Sequence, residues 1–421
     1  MLASRIQSDL RPFVKFDARK IALRHARIID GTGIPAREDG SINIEDGVIT
    51  GVGDSSLAIS TGAAVVDLKG FTVIPGLVGM HDHLFYPGPV PSDISLPVPV
   101  TFARLYLASG VTTIRTAGSV EPYTDLETKK RIDTGRLLGP KIHVTGPFLE
   151  GPGGSNPQMH ELRDATDARR TVDFWADQGV TSFKAYTDVT PDQLAAAVAS
   201  AHKRGLKITG HLCSITHREA IALGIDNLEH GPLFTDSGFV HGKRRGVCPP
   251  EIDRTTAAAS VQVKGPVIRD LISDLVAHKV AITSTLAVFE VQVPNRPPVD
   301  PRVLAALIPE LQVDFLTLRL AFSDPRLGEA YKMPASPWVK LFASEMEFER
   351  DFVKAGGLLL AGADPTGQGG VLAGFADQRE VELLVEAGFS PIEAIHIATW
   401  NGAEFLGETS AIGAIAKGKR A

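Results

Sequence analysis

The sequence is poor in several things that would have narrowed its role at once. It has two cysteines, Cys213 and Cys248, in 421 residues. That implies no disulfide framework, and both read as small buried apolar residues. Basic residues are not in excess: 43 Lys and Arg face 49 Asp and Glu, a net charge of -6. Neither nucleic acid nor an anionic membrane is therefore an expected partner, because each needs a cationic footprint. No apolar run is long enough to span a bilayer, and stretches such as VAITSTLAVF stop at about strand length. The opening MLASRIQSDLRPFVKFDARK lacks the apolar core of a secretory signal. A reducing cytoplasm is the expected location, although a chain trimmed of a leader would read the same. No G-x-G-x-x-G turn follows the first strand, which argues against an open dinucleotide-binding sheet.

What is present has a clear rhythm. Up to about residue 72, short β-rich runs (KIALRHARIID, SINIEDG, VITGVGD, AAVVDLKG) alternate with turn signals, the pattern of hairpin-linked strands in a small antiparallel sheet. Beyond VIPGLVG the pattern changes. Strand-like runs at LVGMHDH, 111–118, 141–149, 180–186, 207–212, 227–231, 280–286 and 356–364 are separated by helix-like stretches such as DATDARRTVDFWADQG and TPDQLAAAVASAHKRG. Several of these stretches end in glycine, a common helix stop. Eight strands alternating with helices predict an α/β fold with a parallel sheet closed as a (β/α)8 barrel. The barrel is expected over 73–405. Residues 287–345 (VPNRPPVDPRVLAALIPELQ and beyond) are too long for a simple crossover and read as an insertion, either a lid or substrate wall or a packing elaboration.

Chemistry-bearing residues fall at the strand ends, where such barrels place their active sites. His81 and His83 end the first strand, and their period-two spacing points both rings to one face, with Asp82 turned away. Lys184 lies in the fourth strand, His211 in the fifth, His230 in the sixth and Asp364 in the eighth. Singly, each has a bland explanation: a core histidine, a lysine paired with a core carboxylate, an aspartate capping the turn before Pro365. Together they read as a metal site, since imidazole and carboxylate suit zinc and other first-row ions. Four further residues are candidate substrate contacts: Tyr86 after the first strand, Tyr186 two residues beyond Lys184, His160 in the loop EGPGGSNPQMHE, and Arg115 in the second strand. For Arg115 a buried structural salt bridge remains the competing reading.

The order His-x-His, Lys, His, His, Asp, with IALRHARIIDGTG, VIPGLVGMHDH, REAIALGIDNLEHG and GADPTGQGGVLAGFADQRE, resembles the amidohydrolase superfamily. The similarity is to its binuclear members with a carboxylated lysine, in the prolidase-like and imidazolonepropionase-like branches. The resemblance implies a small β-sandwich formed by residues 1–72 and by a return of 406–421. It implies two divalent ions, zinc in the first instance. His81 and His83 would hold one ion with Asp364, His211 and His230 the other, and N6-carboxylated Lys184 both. It further implies a hydrolase acting on a dipeptide or N-acyl amino acid, with a metal-bridging hydroxide as nucleophile and Asp364 as general base and acid. A cyclic-amide hydrolase acting on an imidazolone, hydantoin or enamide ring has the same ligand set. A catalytically silent scaffold is the rival from outside enzymology. Partners are expected to be a small amide or peptide substrate and further copies of the chain in a homo-oligomer.

Overall fold

The computed structural model describes residues 8–88, 94–154, 156–324, 326, 337–366 and 371–421. Residues 325 and 327–336 of the expected insertion, and 367–370 of the stretch after Asp364, lie outside the described residues.

The N-terminal runs form β1 (Lys20–Ile28), β2 (Arg37–Glu45), β3 (Val48–Gly53), β4 (Ala64–Asp67) and β5 (Thr72–Val73). β2 and β3 are joined by Asp46 and Gly47, both at positive φ, as a tight two-residue hairpin turn requires. β1, β2 and β3 pair antiparallel, but β4 and β5 pair parallel with β1. The expected all-antiparallel sheet is therefore only half right. The connection through 54–63 supplies the reason. Arg24 of β1 donates to the carbonyls of Ser55 and Leu57, and Leu57 packs against Gly51 and Gly53. The chain thus crosses behind the hairpin and enters on the far edge of β1. The C-terminal segment returns to this sheet, with Gly418 donating to Ile49 and Ala421 to Gly47, and Ile415 joins its apolar cluster.

Next come β6 (Leu77–Asp82), the hairpin β7 (Phe85–Pro87) and β8 (Ser95–Pro97), β9 (Val111–Thr116), β10 (Lys141–His143), β11 (Thr145–Glu150) and the two-residue β12 (His160–Glu161). They are followed by β13 (Ser182–Ala185), β14 (Lys207–Gly210), β15 (Asn227–Glu229), β16 (Ala281–Ser284) and β17 (Leu359–Ala361). The pairing is parallel in the orders β10–β9–β6 and β12–β11–β13–β14–β15–β16–β17. β10 and β11 are two parts of one segment, so they connect the two sheets. All eight expected strand regions are present. β6, β13, β15, β16 and β17 are buried along their whole length, as strands covered on both faces must be. Next to β17, Asp364 N–H donates to the His81 carbonyl at 2.8 Å. Gly362 comes so close that a Cβ there would sit 2.5 Å from the His81 nitrogen. The strand region of β17 and that of β6 therefore lie side by side.

The helices cover the strands with apolar faces, and several start on side-chain caps. Thr190 with Gln193, and Thr216 with Glu219, form reciprocal capping boxes, which satisfy two otherwise unpaired donors at each helix start. Within the 287–345 region the described residues form helices Leu286–Glu290, Pro301–Ala306, Pro309–Ser323 and the start of Trp338–Lys354.

Cys213 and Cys248 are joined in a disulfide with Cα atoms 4.8 Å apart. This corrects the expectation of two unpaired apolar cysteines. The 35-residue separation hides a pairing that only the fold brings together. Cysteine usage consequently gives no argument for a reducing compartment. No helix among the described residues is long and apolar enough to cross a membrane.

Candidate metal centre

Six side chains gather where the parallel strands end. His81 is in β6 and His83 one residue past it; Lys184 is in β13. His211 directly follows β14, His230 directly follows β15, and Asp364 comes three residues after β17. All six line one cavity of about 370 Å³. His81 Nε2 and His83 Nε2 lie 3.5 and 3.2 Å from Asp364 Oδ1, and His230 Nε2 lies 3.8 Å from Asp364 Oδ2. His230 packs against both His81 and His211, with ring centroids 4.6 and 4.5 Å apart.

The outward nitrogen of three rings is already engaged. His81 Nδ1 meets Glu229 at 2.8 Å, His83 Nδ1 meets the Gly118 carbonyl at 3.2 Å, and His230 Nδ1 meets the Thr285 hydroxyl at 2.7 Å. Bonds of this kind fix ring orientation and leave Nε2 free to ligate. His230 Nε2 and Asp364 Oδ1 are buried without a hydrogen-bond partner. Burial disfavours the charged form of three of the rings, moving His81 down to about 4, His211 to about 3 and His230 well below the ordinary imidazole range. Burial also moves Lys184 down to about 8, against the pull of Glu229 and Asp364. His81, His83 and Asp364 can present ligand atoms all within 4.8 Å of one another. Buried, oriented imidazoles facing an orphaned carboxylate oxygen are a donor set that fits a divalent first-row ion.

The backbone is strained at this site. His230 and Asp364 both occupy the left-handed region, at φ 71° and 50°, where residues with a Cβ are held at a cost. Asp82 faces away from the cavity. It is buried opposite Asp377, and burial and that carboxylate raise it well above the usual range. Tyr106 nearby donates to the His83 carbonyl at 3.0 Å.

Of the candidate substrate contacts, Tyr186 alone lines the cavity, its ring 5.2 Å from that of His211. Tyr86 is buried on the other side of its strand against Phe102, and its neighbour Phe85 faces the cavity instead. His160 is exposed and sits 3.5 Å from Asp167, since its short strand β12 lies at the sheet edge. Arg115 is fully buried beneath the site. It donates to Glu229 at 2.6 Å, to Met80 O at 2.7 Å and to Asn227 at 3.1 Å. The salt-bridge reading of Arg115 is thus the one its geometry supports.

Sequence reasoning missed Glu229, which is buried and held well below the ordinary carboxylate range. Burial alone would raise it, but Arg115, His81 and Lys184 together prevail. It also missed Arg254, Thr255 and the aromatic wall of Phe234, Phe289 and Trp338. Phe289 and Trp338 show that the 287–345 region forms part of the cavity lining.

The model of the Amidohydrolase family matches residues 72–294 and 347–421. An enamidase from Eubacterium barkeri is 26% identical over 270 residues, 58% of this chain and 64% of the relative. An imidazolonepropionase from Nocardia farcinica (strain IFM 10152) is 32% identical over 138 residues, 32% of this chain and 33% of the relative. The chain thus spans less than two thirds of the length of these curated relatives. A solved Xaa-Pro dipeptidase with bound methionine in its active site superposes with a TM-score of 0.67 at 18% identity, over 96% of this chain and 92% of that one. At that identity the likeness concerns the fold alone.

Proposed function

The chain belongs to the Amidohydrolase family, and from that premise we propose that it is a metal-dependent hydrolase of the C–N amide bond in a dipeptide or an N-acyl amino acid. The observation that carries this is the convergence of three oriented imidazoles on Asp364, with His230 Nε2 and Asp364 Oδ1 buried and unpartnered.

In this reading the eight parallel strands close as a barrel over 73–405, and the sheet of 1–72 with the return of 406–421 forms a small second domain. His81, His83 and Asp364 would hold one divalent ion, and His211 and His230 a second. Lys184, carboxylated by addition of its neutral amine to carbon dioxide with loss of a proton, would supply a further anionic ligand to them. A bound ion pair supplies Lewis acidity, which lowers the pKa of water and polarises an amide carbonyl. Asp364 accepts the proton of the attacking water and returns it to the leaving nitrogen. Glu229, Gly118 and Thr285 hold the rings in place, so the site needs little rearrangement on turnover. Phe85, Phe148 and Phe289 exclude bulk water from the amide.

A second reading, opening of a cyclic amide, is favoured by the matches to an enamidase and an imidazolonepropionase. Metal-loaded protein assayed against dipeptides including Xaa-Pro, N-acyl amino acids and imidazolone, hydantoin and enamide rings separates the two. Exclusive ring opening would overturn the linear-amide reading. Metal well below one ion per chain, without metal-dependent hydrolysis, would point to a silent scaffold.

A further inference from the structure

Among the described residues, buried guanidinium groups in this chain are paired. Arg115 is held by Glu229, Asn227 and Met80 O, Arg296 by Glu290 and Glu386, and Arg379 by Glu290 and Glu382. Arg254 is the exception. Its Nε is buried and has no hydrogen-bond partner. The side chain projects from helix Glu251–Ser260 into the wall of the metal cavity, with Thr255 beside it. Its charge acts on His211 across that cavity. Glu251 and Asp188 lie close enough to be felt, but neither makes an ion pair with it. Among the described residues, the only other cationic side chain in the lining is Lys184, which stands among the candidate metal ligands. A buried, unpaired donor on a charged group costs stability unless something arrives to pair it.

Next to this cation is an apolar surface. Phe234 stacks on Phe289 with centroids 3.9 Å apart, and Trp338 packs against both rings, 5.8 Å from Phe289 and 6.1 Å from Phe234. Phe289 also touches the His230 ring, with centroids 5.6 Å apart. The aromatic cluster therefore touches His230 through Phe289 and lines the same cavity as Arg254.

We propose that Arg254 binds a carboxylate of the substrate, and that the Phe234–Phe289–Trp338 wall receives the apolar side chain carried by the same residue. The substrate class is then an N-acyl amino acid or dipeptide with a free C-terminal carboxylate and an apolar, preferably aromatic, C-terminal side chain. The planar fork of arginine matches a carboxylate through two parallel hydrogen bonds. The aromatic wall takes up the flanking side chain by stacking and burial. This inference rests on the amide-hydrolase reading above for the reaction, but not for the binding.

The test compares N-acetylphenylalanine, its carboxamide and N-acetylglycine on metal-loaded wild type, Arg254→Gln and Arg254→Lys. For Arg254→Gln, kcat/KM towards N-acetylphenylalanine should fall about 10- to 100-fold, mostly in KM. The carboxamide should change less than about twofold. Arg254→Lys should recover part of the loss. On the wild type, N-acetylglycine should be about tenfold poorer than N-acetylphenylalanine. Equal losses on acid and carboxamide, with a lowered melting temperature, would show a merely structural arginine and overturn the proposal; so would an acid reaction that Arg254→Gln leaves unchanged. Calorimetric binding of N-acetylphenylalanine to both proteins separates the two ideas. Arg254-dependent binding without turnover would sink the hydrolase reading and keep this one. Turnover insensitive to Arg254 would do the reverse, and neither binding nor turnover would sink both.

Discussion

The ion pair beneath the metal centre offers the sharpest test of how this site is held. Arg115 and Glu229 are both essentially inaccessible, at 1% and 0% exposure. Their Nη2–Oε1 distance is 2.6 Å. Glu229 also accepts from the Thr209 hydroxyl and bonds His81 Nδ1. Arg115→Met removes the cation and strands a buried carboxylate, and it also removes the Arg115 donation to Met80 O. Breaking one half of a buried pair costs about 3–5 kcal/mol, a large part of the usual 5–15 kcal/mol margin. The double variant Arg115→Met/Glu229→Gln removes the stranded charge, and the glutamine oxygen can still accept from His81. It should therefore be more stable than the Arg115 single variant, with a coupling of about 2–3 kcal/mol. Because Glu229 orients a ligand, the single variant should also lose about 10- to 100-fold in metal affinity. Urea denaturation of chelator-treated protein gives the stabilities, and competition with a chromogenic chelator gives the affinity. A single variant within about 1 kcal/mol of wild type, or strict additivity in the double, would refute the reasoning.

Lys184→Ala should lower metal content per chain and abolish metal-dependent hydrolysis; elemental analysis showing full metal with full activity would remove lysine from the site. Cys213→Ser opens a loop closed across 35 residues and should cost about 3–4 kcal/mol by chain entropy. The reduced wild type should match it in urea, and a difference above about 1 kcal/mol would count against the cross-link. Burial raises the Glu380 carboxyl from an ordinary 4.5 to about 7, so between those pH values the folded chain keeps a proton that the unfolded chain has lost. Its contribution is complete below pH 4.5 and declines as pH rises through 7, by about 3 kcal/mol. Glu380→Gln should flatten stability between pH 5 and 8 by that amount, and parallel urea profiles for the two proteins would exclude the buried neutral acid.

The barrel-type strands were legible because their burial leaves a plain trace. A strand covered on both faces is a short apolar run, and some are preceded by a well-capped helix, such as the one that Asp164 starts and Gly179, at φ 98°, ends. What could not be read were features that depend on which distant segments meet. The parallel pairing of β4 with β1 follows from where the 54–63 connection is tied by Arg24, which strand propensity does not encode. The Cys213–Cys248 link has the same character, because it joins the loop after β14 to the start of the helix that carries Arg254.

The site divides along a different line, between positions that obey strand alternation and those that break it. His81, His83 and Phe85 all face the cavity, while Asp82, Leu84 and Tyr86 turn into the core. Period two carried one step further therefore points to Phe85 rather than Tyr86, and the signal was in the sequence. Tyr186 follows the same rule two residues beyond Lys184. Glu229 and His230 break it. They are consecutive, yet one bonds His81 from below while the other faces Asp364. Adjacent residues of a regular strand point to opposite faces. The left-handed φ of His230 re-aims the chain by one position, and Asp364 is re-aimed in the same way after β17. That strain persists only where the surroundings over-determine it, and here the Thr285 bond to His230 and the Asp364 N–H bond to His81 O fix both residues. Relaxing either residue to an ordinary strand conformation would turn its side chain out of the cavity, so the strain and the ligand geometry are one structural fact.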